Sequence, residues 1–341
     1  MRARLTQINQ DDLAQIKALG FSVEGIQDIG DYYLVERDVM LKKDRLKDYK
    51  TTLTFPLTIP NGRVDQARGN DLISYAKQRD VRVFVDSSIP TSGDDNWGNE
   101  VQQAINDING ANSRIRMIYV TSLPADITVR SDAGSLIDLH PDGWWVLAAA
   151  EPPSSGNPGF QIRINLDTNN NMVFSSGQKR YNMAHELGHC VGFRHTNWSG
   201  LGEISATGVT GTPNSGSNPD PSSVMNGGTA LNSWVGFSAY DVIAYTSTYP
   251  RMTASISGPN RGNNSGLYTW TSNVGNGTGP YSYVWEYSTN GSTFNGTIGT
   301  GSTLTANLPY NFDLYLRLTV TRTGTDEAAT SSTFLVRNLD I

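Results

Sequence analysis

The chain has 341 residues, a formal net charge of -6, 37% hydrophobic residues and 17% charged residues. This length exceeds that of most single domains, and the composition is typical of a folded, loop-rich protein. A negative net charge without a block of basic residues argues against nucleic-acid binding. The sequence also lacks the run of roughly 20 apolar residues that spans a membrane.

The first 55 residues are rich in charge and form the first predicted segment. Apolar residues recur at helical spacing from Asp11 to Leu19 and Gly20 follows, which predicts a short helix. Tyr32 to Leu41 is predicted as a strand. Proline and Asn-Gly turns then predict a linker over residues 56–80.

Strands and helices alternate from residue 81 to residue 250. VRVFV (81–85) predicts a buried strand, and the apolar stripe that follows Asn96 predicts an amphipathic helix. Further strands are predicted in RIRMIYVTSL, ADITV, WWVLAAA and FQIRINL, followed by a helix from Lys179 to Val191. This order predicts an α+β domain with a twisted mixed sheet.

Residues 251–341 are dominated by Ser, Thr, Gly and Asn. Aromatic residues alternate from Tyr281 to Tyr287, Asn290-Gly291 predicts a hairpin turn, and apolar residues alternate again from Leu314 to Val320. We therefore predict an all-β, immunoglobulin-like sandwich over this range. The whole chain is predicted to be a multidomain α+β protein.

One helical motif contains most of the chain's four histidines. His185 and His189 lie four residues apart, so a helix projects both imidazoles from one face toward one metal ion. Glu186 lies one residue round the helix, where a general base reaches water at the metal. Gly192 lets the chain leave the helix at positive φ, and His195 then supplies a third ligand.

Three imidazoles with one open position indicate a catalytic zinc ion, because a structural zinc is normally closed by a fourth protein ligand. The alternative is a buried helix whose histidines bind only backbone groups. The complete pattern HExxHxxGxxH in a histidine-poor chain favours Zn²⁺. Cys190, the only cysteine, excludes an intrachain disulfide and is predicted to point into the core.

The catalytic segment resembles the metzincin zinc endopeptidases, and HELGHCVGFRHT is similar to the bacterial dual-action HEIGH metallopeptidases, with Leu187 in place of isoleucine. The resemblance implies a zinc endopeptidase that cleaves proteins or peptides. PSSVMNGG resembles the Met-turn, which implies that Met225 forms a hydrophobic floor beneath the metal; an ordinary core methionine is the alternative. Astacins and serralysins place a tyrosine where Gly227 stands, so no tyrosine ligand is expected.

The resemblance is also compatible with a secreted or cell-surface bacterial protein. The first ten residues contain no apolar segment of the signal-peptide type, so a cytosolic chain or a mature secreted chain fits them equally. We expect a monomer.

Substrate is predicted to pair as an extra strand with Val146, Leu147, Ala148, Ala149 and Ala150. Pro152-Pro153 follows and cannot continue a hydrogen-bonded ladder, which is typical of an edge strand. An interior strand of the sheet is the alternative.

The segment Val35-Glu36-Arg37-Asp38-Val39 resembles the astacin pro-segment motif, with Arg37 replacing a glycine and Val35 an aromatic residue. The resemblance implies that Asp38 occupies the open zinc position, so that residues 1–55 form an inhibitory pro-segment. Cleavage of the linker, between Arg63 and Arg79, would then activate a latent zymogen. The alternative is that Asp38 is a solvated strand residue.

Two other function classes compete with a latent zinc endopeptidase that uses Glu186 as its base. One is a non-catalytic surface-binding protein that uses the C-terminal sandwich, with the zinc module as a scaffold; such a scaffold needs no general base. The other is a cytosolic zinc hydrolase of small molecules, which a cleft for peptide strands would disfavour.

Overall fold

Two units, Met1–Tyr249 and Pro250–Ile341, divide the chain in the computed structural model. The structure describes residues 8–49, 66–136, 145–169, 172–203, 207–208, 219–262, 265–309 and 311–338. The division lies one residue from the predicted boundary between residues 250 and 251. Within these ranges, no helix has both the length and the apolar character needed to cross a membrane.

The elements of the first unit follow the predicted order. Its helices are α1 (Gln10–Ala18), α2 (Gly98–Gly110), α3 (Leu166–Asn169), α4 (Ser176–Cys190) and α5 (Ala239–Thr248). Its strands are β1 (Gln27–Asp28), β2 (Tyr32–Val35), β3 (Val39–Lys42), β4 (Ala67–Arg68), β5 (Val81–Val85), β6 (Met117–Val120), β7 (Ile127–Ser131), β8 (Ala148–Ala150), β9 (Gln161–Ile164), β10 (Phe193–Arg194) and β11 (Thr207–Gly208). Short 3-10 turns lie at Lys43–Arg45 and Trp198–Leu201.

The main sheet is mixed, as predicted. Its order among the described residues is β1-β2-β3-β8-β9-β7-β5-β6. Strands β6, β5, β7 and β9 pair in parallel, whereas β8 runs antiparallel to β9. Strand β3 pairs in parallel with the other side of β8. The sheet of residues 81–164 therefore continues directly into N-terminal residues.

Two helices cover the core of this sheet. The apolar stripe of α2 places Val101, Ala104 and Ile108 in the main core. Helix α4 begins at Ser176, three residues before the predicted start, because Ser175 and Gln178 form a capping box. Helix α4 is buried along most of its length, so its polar motif residues are held rigidly inside the protein.

The predicted strand Tyr32–Leu41 is a hairpin instead of one continuous strand. Glu36 and Arg37 adopt φ values of +50° and +78°, which turn the chain between β2 and β3. Both residue types rarely adopt positive φ, so the local sequence gives no turn signal. The turn places Asp38 at the end of the hairpin.

The hairpin buries both of its faces. One face packs with α1 in a separate small core that includes Ile16, Val35 and Leu41. The other face places Leu34 and Met40 in a cluster with Val146, Ala149 and Leu136. The N-terminal residues therefore have a core of their own and a second apolar contact with the strand that was predicted to bind substrate.

The predicted linker, residues 56–80, departs from expectation in its second part. Residues 56–65, with Arg63, lie outside the described residues. From residue 66 the chain packs into the unit: Ala67 pairs with Arg194, and Ile73 is buried in the main core. The Gln66 amide donates a hydrogen bond of 3.0 Å to Asp241. These buried contacts join residues 66–80 to the domain that follows.

The second unit is all-β, as predicted. Its strands are β12 (Thr253–Ser257), β13 (Arg261–Gly262), β14 (Gly266–Gly275), β15 (Tyr281–Ser288), β16 (Thr297–Gly299), β17 (Thr303–Leu308), β18 (Phe312–Arg322), β19 (Ala328–Thr330) and β20 (Phe334–Asn338). In the described residues, one sheet has the order β12-β14-β17 and the other β13-β20-β18-β15-β16, with β19 paired to β18. Trp270 of the first sheet and Trp285 of the second lie in one fully buried core.

Candidate metal centre

The motif histidines converge as their spacing predicts. His185 and His189 lie on one face of α4, and their Nε2 atoms are 3.0 Å apart. Gly192 adopts φ +101°, so the chain leaves the helix through a conformation that side chains disfavour. Strand β10 then delivers His195, whose ring centroid lies 5.3 Å from that of His185.

Hydrogen bonds orient the first two rings for metal binding. His185 Nδ1 lies 2.7 Å from the carbonyl oxygen of Val224, and His189 Nδ1 lies 2.8 Å from that of Phe193. A carbonyl oxygen only accepts hydrogen bonds, so each Nδ1 must donate. Each Nε2 therefore keeps its lone pair for a metal ion.

His195 is oriented by a carboxylate that the sequence analysis did not identify. Its Nδ1 lies 2.6 Å from Oε1 of Glu203, and both side chains are buried. Glu203 follows the third histidine by eight residues, and no spacing rule in the sequence marks it. A carboxylate behind a metal-binding imidazole fixes the ring and increases its basicity.

Asp38 completes a cluster of four potential ligands. One of its oxygens, Oδ2, lies 3.1 Å from His195 Nε2 and 3.5 Å from His185 Nε2, and the other, Oδ1, lies 3.6 Å from His189 Nε2. The ligand atoms of the four residues all lie within 4.8 Å of one another. Four ligands about 2.0–2.1 Å from a tetrahedral zinc ion lie about 3.3 Å apart. The cluster therefore fits zinc.

Two carboxyl groups at this site, Asp38 in the cluster and Glu186 beside it, have strongly shifted pKa values. Burial by itself raises the pKa of Asp38, but His195 and the other two histidines outweigh it and hold that pKa well below its usual range. Burial, and then the charge of Asp38, raises the pKa of Glu186 well above its usual value. Oε2 of Glu186 and Oδ1 of Asp38 are buried and accept no hydrogen bond from the described residues. A bound cation would satisfy the orphaned oxygen of Asp38.

Met225 lies beneath the motif helix. A Cβ atom added to Gly188 would lie only 2.5 Å from the Met225 sulfur, so the glycine makes room for the thioether. A Cβ atom at Gly227 would lie 2.8 Å from Nδ1 of His195. The backbone therefore passes close to the third histidine, and Asp241 holds this turn by accepting a hydrogen bond of 3.0 Å from the Val224 amide.

A cavity of about 370 Å³ opens beside the cluster. The residues that line it include Val146, Leu147, Ala148, Glu186 and Arg37. Val146, Leu147 and Ala148 of the predicted substrate strand thus border the cavity, and Ala149 and Ala150 continue from them in β8. Such a concave space, next to a buried carboxylate and a metal cluster, has the form of a substrate-binding site.

The free side of the predicted substrate strand is already paired. Ala150 opposes Val39 in the parallel β3–β8 ladder, and the Ala150 amide donates a hydrogen bond of 2.8 Å to the Asp38 carbonyl oxygen. Strand β8 is therefore interior to the sheet in this structure, and an N-terminal strand takes the position at which substrate is predicted to pair.

Sequence reasoning also missed a buried ion pair next to the cluster. Arg194, which directly precedes His195, pairs with Glu36, which lies two residues before Asp38. Cys190 is fully buried, as predicted, and burial raises the pKa of its thiol well above the usual value. It is not one of the four residues of the cluster.

A family model of known proteins covers the part of the chain that carries this site. No curated protein matches the chain. Among solved structures, the PKD domain of an M14-like peptidase from Thermoplasmatales archaeon SCGC AB-540-F20 is 13% identical, with a TM-score of 0.20, and the match covers 26% of this chain and 94% of that one. The family model described as dual-action HEIGH metallo-peptidase matches residues 34–249 and includes every residue of the metal cluster. In this chain the motif from His185 to His189 reads HELGH. We therefore identify the chain as a member of this zinc-dependent peptidase family.

Proposed function

We propose that the chain is a zinc endopeptidase of metzincin type, held latent by its N-terminal residues. The observation that carries the proposal is the position of Asp38: its carboxylate lies among the three motif histidines, where substrate and water must otherwise enter. Secretion and a monomeric state remain predictions from the resemblance.

His185, His189 and His195 would hold the zinc ion, each through its Nε2 atom. Zinc bound there supplies a Lewis acid that polarises a carbonyl group and makes water a stronger nucleophile at neutral pH. The hydrogen bonds from Nδ1 to Val224, Phe193 and Glu203 keep the three rings in position. The protein thus presents a preorganised set of ligands.

Glu186 would be the general base. Its carboxylate borders the cavity beside the histidines, so it can take a proton from the attacking water and return it to the leaving amine. A buried carboxylate without a structural hydrogen-bond partner at Oε2 has no role in a zinc scaffold. This feature supports hydrolysis over a purely binding function.

Peptide substrates are supported by the strand position next to β8. Strand β3 of the N-terminal residues pairs its main chain with β8 at Ala150. An extended substrate would gain affinity through the same kind of main-chain pairing. A small-molecule hydrolase would need no such position. The same contact would explain latency, because Asp38 occupies the open side of the cluster while β3 occupies the strand position proposed for substrate.

Zinc-dependent digestion of casein, before and after cleavage of the linker, tests the proposal. The uncut chain should be nearly inactive, the cut chain active, and the cut Glu186→Ala variant inactive at unchanged zinc content. Equal activity of parent and Glu186→Ala would overturn the assignment of the base, and a cut parent without activity would overturn the proposed function.

A further inference from the structure

Arg194 is a buried cation whose side-chain partners, among the described residues, come from the N-terminal part of the chain. Its side chain is 5% exposed, and Nη1 donates a hydrogen bond of 2.7 Å to the carbonyl oxygen of Gly20. Nη2 pairs with the Glu36 carboxylate, and the guanidinium carbon lies 4.3 Å from the centre of the Phe21 ring. Nε donates no hydrogen bond within the described part of the chain.

Glu36 is equally committed to this contact. It is 5% exposed, and its Oε1 accepts a hydrogen bond of 3.0 Å from the Ser22 amide in addition to the bond from Arg194. A buried charge that loses its partner is strongly destabilised. Removal of the N-terminal residues therefore leaves a guanidinium that requires a new anionic partner or water.

Arg194 lies beside β3, the strand that takes the position expected for substrate, because it lines one small cavity together with Val39 of β3. A small cavity is lined on one side by Arg194, Gly192 and the metal-cluster residue His189, and on the other by Phe21 and Val39. The N-terminal residues form that second side. Without them the cavity would lose Phe21 and Val39 from its lining, whereas His189 and Arg194 would stay.

We propose that Arg194 of the processed peptidase binds a carboxylate of the substrate in the place of Glu36, so that the enzyme selects an acidic residue near the scissile bond. This inference rests on the proposed latent endopeptidase. Glu36 supplies a side-chain carboxylate within a continuous chain, which favours an internal Asp or Glu over a terminal carboxylate. Arginine suits this role because its planar fork binds carboxylates through two parallel hydrogen bonds.

The obvious alternative is that Arg194 only fastens the N-terminal residues to the domain. In that case it has no effect on substrate choice after processing. The two roles differ in one measurable quantity, the ratio of kcat/KM for matched acidic and neutral peptides.

The experiment uses the full chain cut in its linker and a series of quenched fluorescent peptides. All peptides derive from one neutral parent. Each carries a single Glu at one position near the cleaved bond, and a matched peptide with Gln at the same position is its control. A further pair differs only in a free or an amidated C-terminus. At one position, Glu should raise kcat/KM about ten- to a hundredfold over Gln, as a hydrogen-bonded charge allows, and the C-terminal pair should show no difference.

Arg194→Gln should remove the preference and still cleave the Gln peptides. Arg180→Gln, which alters a guanidinium paired with Asp107 on α2, is the matched control and should keep the preference. The charge-swapped double variant Glu36→Arg/Arg194→Glu restores opposite charges at the two positions, and circular dichroism of the latent chain verifies its fold. After processing, this variant should favour Lys over Glu at the same position.

Several outcomes overturn the inference. They are equal cleavage of Glu and Gln peptides by an active parent, selection for the terminal carboxylate alone, and a preference that survives in both Arg194 variants. In each of these cases the peptidase itself stands. A cut parent that cleaves neither casein nor any peptide overturns the proposed function and the inference together.

Discussion

The thioether of Met225 packs against the motif helix at Gly188, the residue just before the second histidine, where an added Cβ atom would lie 2.5 Å from the sulfur. This contact joins the helix that carries His185 and His189 to the turn that passes beneath it. The site is therefore stabilised by packing as well as by metal ligands.

Gly188→Ala should destabilise the protein by about 1–3 kcal/mol, because the methyl group overpacks a filled core. Denaturant unfolding of the zinc-loaded chain measures the effect. Gly110→Ala is the matched control: it changes a helical glycine whose added Cβ meets nothing within 4 Å. A Gly188→Ala protein as stable as the control would show that the Met225 contact is loose.

Glu203→Ala should weaken zinc binding about 10- to 100-fold, because His195 loses the carboxylate that orients it. Glu203→Gln should recover much of this loss, since an amide oxygen still accepts the Nδ1 hydrogen bond. Competition with a chromogenic chelator gives the affinity, and circular dichroism verifies the fold. If both variants bind zinc as tightly as the parent, Glu203 does not position His195.

His195→Ala should reduce zinc content at chelator-buffered concentrations, and X-ray absorption of the parent should give zinc–nitrogen distances of about 2.0–2.1 Å. The spacing of the four ligand atoms around the cluster is the reason for this expectation. Full zinc stoichiometry and full activity in His195→Ala would disprove the third-ligand assignment.

Much of this site follows from local sequence. The spacing of His185 and His189 fixes their common face, and Gly192 marks the point where the helix ends. Contacts between residues that are far apart in the sequence cannot be predicted from such local patterns. Glu203 contacts His195 only because the turn between them folds back. Gln66 binds Asp241, which lies 175 positions further along the chain, so the Pro- and Gly-rich sequence does not indicate that this segment is buried.

The N-terminal hairpin shows the same limit. The resemblance to a pro-segment motif directs attention to Asp38, and the structure brings that residue to the histidines. The continuous β-type pattern nevertheless predicts one strand. The turn arises from positive φ at Glu36 and Arg37, where pairing with Arg194 and packing on both hairpin faces outweigh local preference.

The pairing of β3 with β8 predicts a change in hydrogen exchange. The Ala150 amide, which donates to the Asp38 carbonyl oxygen, should be protected in the latent chain, exposed after removal of the N-terminal residues, and protected again by a bound peptide inhibitor. Mass spectrometry of peptides that span residues 146–150 follows this change. Protection that survives removal of the N-terminal residues would argue against this strand as the substrate site.

The most direct test of the account is the casein-cleaving rate of full-length Asp38→Ala at matched zinc content. Asp44→Ala, which removes an exposed carboxylate just beyond the same hairpin, is the control. Asp38→Ala should cleave casein and its own linker about tenfold faster than the parent or more, since a tenfold change needs only ~1.4 kcal/mol of lost inhibition. An Asp38→Ala chain that binds zinc and stays as latent as the parent would contradict the account.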